Sequence, residues 1–267
     1  MRPKKLLAAL CALSLALPAG ALAKSTITMS GSTSVAPLAT ALARGYLHAH
    51  PGSVTFKLLQ GGSDVGISDV AHGRVTIGNS SRDPKPTDPG GLVFTRIARD
   101  AVCVVTNRSN PLSNLSQSQI QSIFTGRVRS WKDVPGAKAS GSIDLKVRTA
   151  ASGTQDAFQN IFLGQNLRVA GSANQYASNG LLQQAVKNDK NAIGYVSFDF
   201  VAGLSAVPYA GVTCNLRNAK SGQYGGTRNF WMVTRGKPGG ASKKWLKWIR
   251  SSGPQRSIVS THWVPIR

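Results

Sequence analysis

Apolar positions along this chain switch between two spacings in a regular order. From Thr26 to Leu47 a short alternating run, Ile27 and Met29, passes through Ser30-Gly31-Ser32-Thr33-Ser34 into Val35, Leu38, Ala39, Leu42 and Tyr46. Alternation with a period of two predicts a strand, and the second set falls on one face of a helix. Pro37 stands near that helix's start, where its missing N–H costs no hydrogen bond. Residues 54–59 predict a second strand, ending in Gln60-Gly61-Gly62-Ser63, a loop that opens a short helix with Ile67, Val70 and Ala71 inward. Val75-Thr76-Ile77-Gly78 reads as a third strand, ending in Asn79-Ser80-Ser81-Arg82.

Downstream the alternation of elements continues. The Pro-rich segment 83–91 predicts a surface loop, and the near-continuous apolar run 97–106 (IARDAVCVVT) a buried strand. A capped helix is expected over 115–124 and a basic, turn-like stretch over 127–136. Leu145-Lys146-Val147-Arg148 predicts a strand. It runs into Thr149-Ala150-Ala151-Ser152-Gly153-Thr154 and then a helix with Ala157, Phe158, Ile161 and Phe162 on one face. This repeats the opening stretch, with Arg148 now directly before the loop. Strands at 193–196 and 230–233 and an amphipathic helix around 245–249 complete the chain, which has no fixed-period repeat.

Strands alternating with helices place the chain in the α/β class. Hydroxyl-rich loops then sit at the carboxyl ends of strands, where open α/β sheets bind ligands. Free N–H groups and the positive dipole end of the following helix suit such a loop to an anion. An ordinary Ser/Thr-capped turn has the same local pattern.

Length allows one large domain or two small ones among 267 residues. Residues 1–23 have a basic start (Arg2, Lys4, Lys5), an apolar stretch and Ala21-Leu22-Ala23, the layout of a cleaved secretory signal. Leu10 before Cys11 argues against a lipoprotein signal, and no later stretch approaches membrane-spanning length. Removal of the signal leaves 29 basic residues against ten acidic ones, a net charge of +19, and all ten acids are Asp. Such a field draws in anions without choosing among them. Cys103 and Cys214 remain, as a disulfide or as two buried thiols.

Other chemistries find little support. His48 and His50 lie two residues apart at a helix end, with no further zinc ligands grouped nearby. Ser152 lacks the surroundings of a nucleophile elbow, and a two-carboxylate hydrolase would need paired Asp in a motif. The basic residues Lys243, Lys244, Lys247 and Arg250 read as a solvated face over a packed Trp/Ile stripe, with no nucleic acid expected.

Several stretches, in this order and spacing, resemble the periplasmic phosphate-binding protein (PstS) family, the solute receptors of phosphate ABC transporters. They are Gly31-Ser32-Thr33-Ser34-Val35-Ala36-Pro37, Gly62-Ser63 with Gly66-Ile67, Ser80-Ser81-Arg82, and Ile123-Phe124-Thr125-Gly126 with Trp131. Arg148 with Ser152-Gly153-Thr154, Ile193-Gly194-Tyr195-Val196, Tyr224 with Arg228, and the closing Val264-Pro265 continue the series. The resemblance spans nearly the whole mature chain. It implies a two-lobed α/β fold of the type II periplasmic binding class, with a ligand cleft between the lobes. Lobe one would hold residues 24–106 and 223–267, and lobe two residues 107–222.

By the same resemblance the chain is a non-enzymatic, periplasmic, monomeric receptor. It would hold inorganic phosphate without a metal or other cofactor and deliver it to a membrane ABC permease. Ligand contacts fall on Thr33, Ser34, Ser63, Ser81, Arg148, Ser152, Gly153 and Thr154. Alternatives are a receptor for sulfate or molybdate, or an exported basic protein that binds anionic polymers. The chain departs from the family at three points: Ser81 stands where an Asp is frequent, Ala150 where an acid often follows the site arginine, and Ala151 where Gly is common. Asp64 and Asp83 are the acids nearest in sequence to the cleft loops.

Overall fold

The strands of the computed structural model, which describes residues 24–266, follow one hydrogen-bonded path of two halves. The expected signal segment, residues 1–23, lies outside the described residues. The first half begins with β1 (Ser25–Gly31), α1 (Ala36–Ala49), β2 (Val54–Leu58), α2 (Ser63–Ala71) and β3 (Ile77–Ser80). β1 lies between β2 and β3, parallel to both. Their carboxyl ends therefore point the same way, and the loops after them form one edge.

β4 (Leu92–Thr106) begins five residues before the apolar run in the sequence, because its leading residues are half-buried and of mixed polarity. It is followed by α3 (Gln117–Phe124), β5 (Asp144–Arg148), α4 (Gly153–Phe158), β6 (Asn174–Tyr176), α5 (Asn179–Asn188) and β7 (Ala192–Ser197). The chain ends with β8 (Ser205–Ala206), α6 (Leu216–Ser221), β9 (Thr227–Arg235), α7 (Gly240–Ile249) and a helical tail. Strand order is β2-β1-β3-β9-β4-β7-β5-β6, with β8 beside β4.

Because β4 is long, it serves both halves. From Leu92 to Ala101 it pairs antiparallel with β9, and from Val102 to Thr106 with β7. The partner changes between Ala101 and Val102, within one extended strand.

Each half has its own apolar core. In the first, α1 buries Leu38, Ala39, Leu42 and Tyr46 against β1, β2 and β3, and α7 adds Trp245, Leu246 and Ile249. Lys243, Lys244 and Lys247 occupy the exposed face of α7. The second half packs both faces of its sheet. On one, Phe158 stacks on Tyr195 with ring centroids 3.8 Å apart, beside Phe124 and Trp131. On the other, Cys103 of β4 forms a disulfide with Cys214 ahead of α6, beneath Tyr224 and Leu182. Each such aromatic or aliphatic side chain, fully buried, stabilises the fold by roughly 1.5–3 kcal/mol.

α5 has no counterpart in the elements expected from the sequence. Only Leu182 and Val186 of its apolar residues are buried, while Leu181 is exposed, so its stripe is too thin to register as a period. Ser178 caps it by accepting from the Leu181 N–H at 3.1 Å.

Candidate functional site

Two loops of matching chemistry face each other where the halves meet. After β1, the Ser32 hydroxyl accepts from the N–H groups of Ser34 and Val35, at 3.2 and 3.3 Å. After β5, the Ser152 hydroxyl accepts from those of Thr154 and Gln155, at 3.1 and 3.3 Å. In each Ser-x-Ser/Thr triplet the first hydroxyl satisfies backbone donors of the turn into the following helix, and Ser152 is the N-cap of α4. The third is left to project across the divide. Those third hydroxyls, of Ser34 and Thr154, hydrogen-bond one another at 2.9 Å.

The eight residues expected from the sequence lie together here. Arg148, the last residue of β5, reaches from the second half to the first, donating to Thr33 Oγ1 at 3.2 Å and to Thr154 Oγ1 at 3.4 Å. Ser63, at the start of α2, accepts from the Ser81 N–H at 3.0 Å and lies 3.4 Å from the Ser81 hydroxyl. Gly153 packs against this pair from the opposite half. A Cβ at Gly153 would overlap the Ser63 hydroxyl and stand 2.7 Å from that of Ser81 and 2.9 Å from the Arg82 nitrogen. Only a residue without a side chain lets the loops approach this far. The Asp64 N–H donates to the Ala151 carbonyl at 3.1 Å, and Lys85 forms an ion pair with Asp156. Both contacts also join the two halves, so the cleft is closed.

Three further polar side chains complete the cluster, and none was among the expected eight. Asn179, the first residue of α5, donates to Thr33 Oγ1 at 3.1 Å and Ser34 Oγ at 2.8 Å. Arg228 of β9 donates to Ser34 Oγ at 2.8 Å. Asp100 of β4 accepts from Arg228 Nη2 at 2.9 Å and Nε at 3.1 Å, and from the Ser197 hydroxyl at 2.8 Å. A signal existed for two of them. Arg228 belongs to the stretches that carry the family resemblance, and Asp100 is a lone acid inside an apolar strand, where a charge needs a partner. Asn179 has no such mark.

The acids near the cleft loops are turned to other tasks. Asp64 and Asp88 both bind Arg82, each at 2.6 Å. The Arg82 cation, although it follows the Ser80-Ser81 pair, is thereby neutralised outside the cluster. Its pKa is raised by those two carboxylates, whose pull exceeds the opposing effect of burial. Asp83 accepts from Asn229 Nδ2 and Trp231 Nε1, both at 2.9 Å.

Charge within the cluster does not balance. Arg148 is 2% exposed, and among the described residues no carboxylate lies within ion-pair distance of it. Its guanidinium is held by the carbonyls of Tyr176 and Ala177, at 3.0 and 2.8 Å, and by hydroxyls. Burial, reinforced by the nearby Arg228, pulls its pKa down to about 10, leaving it charged at neutral pH. Burial likewise favours the neutral forms of Asp100 and Arg228, and their direct contact opposes this. Two guanidiniums against one carboxylate leave a net positive charge, enclosed by hydroxyl and amide donors. An anion with several oxygens satisfies such an arrangement, since each oxygen finds a donor and the buried cation a counter-charge.

Comparison with known proteins agrees with this geometry. A family profile described as a PBP superfamily domain matches residues 18–252. The fold superposes with a TM-score of 0.85 on a Clostridium perfringens protein assigned as a phosphate ABC transporter substrate-binding protein and crystallised with bound phosphate. The two are 31% identical, covering 91% of this chain and 100% of that one. An ABC-type phosphate transport receptor from Vibrio cholerae gives a TM-score of 0.71 at 27% identity, covering 89% of this chain and 99% of that one. The phosphate-binding protein PstS of Bacillus subtilis is 27% identical over 250 residues, which are 91% of this chain and 82% of that protein.

Proposed function

Because this chain belongs to the PBP superfamily and, within it, to the phosphate-binding PstS family, we propose that it captures inorganic phosphate outside the cytoplasmic membrane and delivers it to an ABC permease. It is a receptor and not an enzyme. The observation that carries the reading is Arg148, a charged guanidinium buried between two hydroxyl-bearing loops without a carboxylate partner.

Thr33, Ser34, Ser63, Ser81, Arg148, Ser152, Gly153 and Thr154 form the phosphate site in this reading, with Arg228 and Asn179 added. Hydroxyls that now bond each other across the cleft, such as Ser34 and Thr154, turn onto phosphate oxygens. Residues 24–106 with 223–267 and residues 107–222 act as the two lobes, moving about β4 where its pairing partner changes. The protein works as a monomer, exported by cleavage of residues 1–23. No helix among the described residues is long and apolar enough to cross a membrane.

With Asp64 and Asp83 engaged elsewhere, and the Asp100 carboxylate of the cluster held by Arg228 and the Ser197 hydroxyl, the acceptor for a protonated phosphate in this reading is a hydroxyl, foremost that of Ser81. A hydroxyl rejects fully ionised sulfate less firmly than a carboxylate does, since it carries no charge to repel it. Sulfate should therefore compete measurably in excess, while phosphate stays preferred. Calorimetry on ligand-stripped protein with phosphate, sulfate and molybdate tests both statements. The expected phosphate Kd is micromolar or tighter, about −8 kcal/mol or stronger. No heat at millimolar phosphate overturns the reading, and tighter sulfate or molybdate binding reassigns the ligand.

A further inference from the structure

Behind the cleft cluster stands a buried acid that takes no part in it. Asp199 lies in the helical turn Phe198–Phe200 that follows β7, and its side chain is 11% exposed. β7 and β4 run in opposite directions and are paired as far as Ser197 with Val102, so the next residues bring Asp199 beside Asp100. The side chain of Asp100 is fully buried.

Each of these two carboxyls is half engaged. Asp100 Oδ2 takes the contacts from Arg228 and Ser197, while Asp100 Oδ1 and Asp199 Oδ2 are buried and have no hydrogen-bond partner among the described residues. Neighbouring acids with unpartnered oxygens repel when both ionise, and one proton on the pair removes that repulsion. Burial first, and the Asp100 charge second, lift Asp199 to about 7. Arg228 ties the pair to the cleft, because its Nη2 donates both to Asp100 Oδ2, at 2.9 Å, and to Ser34 Oγ, at 2.8 Å.

Other groups around the pair leave that proton in place. The Trp263 indole N–H lies beside Asp199 outside hydrogen-bond geometry, and its downward pull is weaker than either upward influence. Of the elements packed on this turn, β7 carries Tyr195, stacked on Phe158 in the other core, and α5 carries Lys187, exposed near Gly203. Tyr224, kept neutral by burial, donates to the Val102 carbonyl at 2.8 Å, and Arg99 donates to Thr227 Oγ1 at 2.6 Å. The tail contributes His262, 66% exposed, whose Nδ1 is 3.7 Å from Asp199 Oδ1 and gives the pair a route for proton exchange with solvent.

We propose that phosphate capture is coupled to uptake of a proton from solvent by the Asp100–Asp199 pair. The proposal rests on the phosphate reading of the cleft. Before phosphate binds, Arg228 offsets the Asp100 charge. A phosphate held by Arg148 and Arg228 shares that cation, so a second negative charge on the pair becomes less favourable and a proton is bound. The coupling is reciprocal: ionised Asp199 weakens phosphate binding, and protonated Asp199 does not.

The test compares phosphate Kd for the wild type and Asp199→Asn by calorimetry from about pH 5.5 to 9. Asparagine keeps the size of the side chain and cannot ionise. Phosphate's own titration is common to both proteins and cancels in the ratio of the two constants. Below about pH 6 the ratio should be near one, and above about pH 7 the wild type should become weaker, levelling at roughly three- to tenfold, the effect of one partly screened interior charge. His262→Gln should show the same rise against Asp199→Asn. The side-chain carboxyl carbon resonance of Asp199 should titrate at higher pH with saturating phosphate than without it. A ratio constant with pH overturns the proposal, because a purely structural role moves Kd by one factor throughout. So does an Asp199 titration that phosphate leaves unmoved, and so does loss of the rise in His262→Gln, which would assign the proton to the histidine. Binding with a flat ratio overturns the coupling alone, whereas failure of both proteins to bind phosphate at any pH overturns the reading of the cleft and the coupling with it.

Discussion

Replacing Arg148 with methionine separates what this residue does for the ligand from what it does for the fold. In the unliganded protein two effects oppose. Loss of the guanidinium relieves a buried charge that has no carboxylate partner, a desolvation cost of several kcal/mol. It also strips the Tyr176 and Ala177 carbonyls of their donors at 3.0 and 2.8 Å, at about 1–3 kcal/mol each. Methionine keeps most of the volume, which limits the cavity left behind. Unliganded stability should therefore change by no more than about 2 kcal/mol. Phosphate binding has no such compensation. Losing a desolvated charge contact costs about 2–5 kcal/mol, a 30- to several-thousand-fold rise in Kd. Urea unfolding with and without phosphate reads both quantities. Phosphate at a thousand times Kd stabilises the wild type by about 4 kcal/mol, and a hundredfold weaker site retains only about 1.4 kcal/mol at the same concentration. A Kd within about threefold of wild type, or a stability loss exceeding the affinity loss, would refute the assignment of Arg148 as the buried counter-charge.

Three other outcomes are expected. Gly153→Ala should fold normally, because the atoms nearest its added Cβ belong to Ser63, Ser81 and Arg82 of the facing lobe, which can draw back when the cleft opens. It should weaken phosphate by roughly 5- to 100-fold through overpacking of the closed cleft, and unchanged affinity by calorimetry would contradict a closed bound state. Burial, with the neighbouring Asp100 adding repulsion, lifts Asp199 to about 7 from 3.8. Between those values the folded state keeps a proton that the unfolded chain has released, so stability falls as pH rises through the window. Asp199→Asn should remove that slope, gaining more at pH 8 than at pH 5, and an equal change at both would refute it. Cys103→Ser with Cys214→Ser opens a link between residues 111 apart and should cost about 2–5 kcal/mol in denaturant unfolding. Phosphate affinity should hold, since the disulfide lies in a core away from the cleft.

Much of the local structure was legible in the sequence because its causes are local. Periods of 2 and 3.6 mark β1, α1, β2, β3 and the core of β4, and a hydroxyl-rich loop before a helix marks an anion-compatible turn whatever surrounds it. The paired Ser-x-Ser/Thr loops after β1 and β5 are visible for that reason, as is Arg148 directly ahead of one of them. Where a side chain points is a different matter. Arg82 follows a cleft loop as closely as Arg148 precedes one, yet Asp64 and Asp88 turn it away, and only the folded loops bring those acids to it. Arg228 reaches Ser34 across 194 positions and Asn179 across 145, distances over which no periodicity carries information. Whether Cys103 and Cys214 were bonded or free depended equally on where the fold set their Cα atoms, 5.7 Å apart. Backbone preference and amphipathic spacing act over a few residues, and they determined the elements. Charge compensation and the meeting of the lobes act through contacts that exist only after those elements have packed, and they decided which of the many polar residues surround the buried guanidinium.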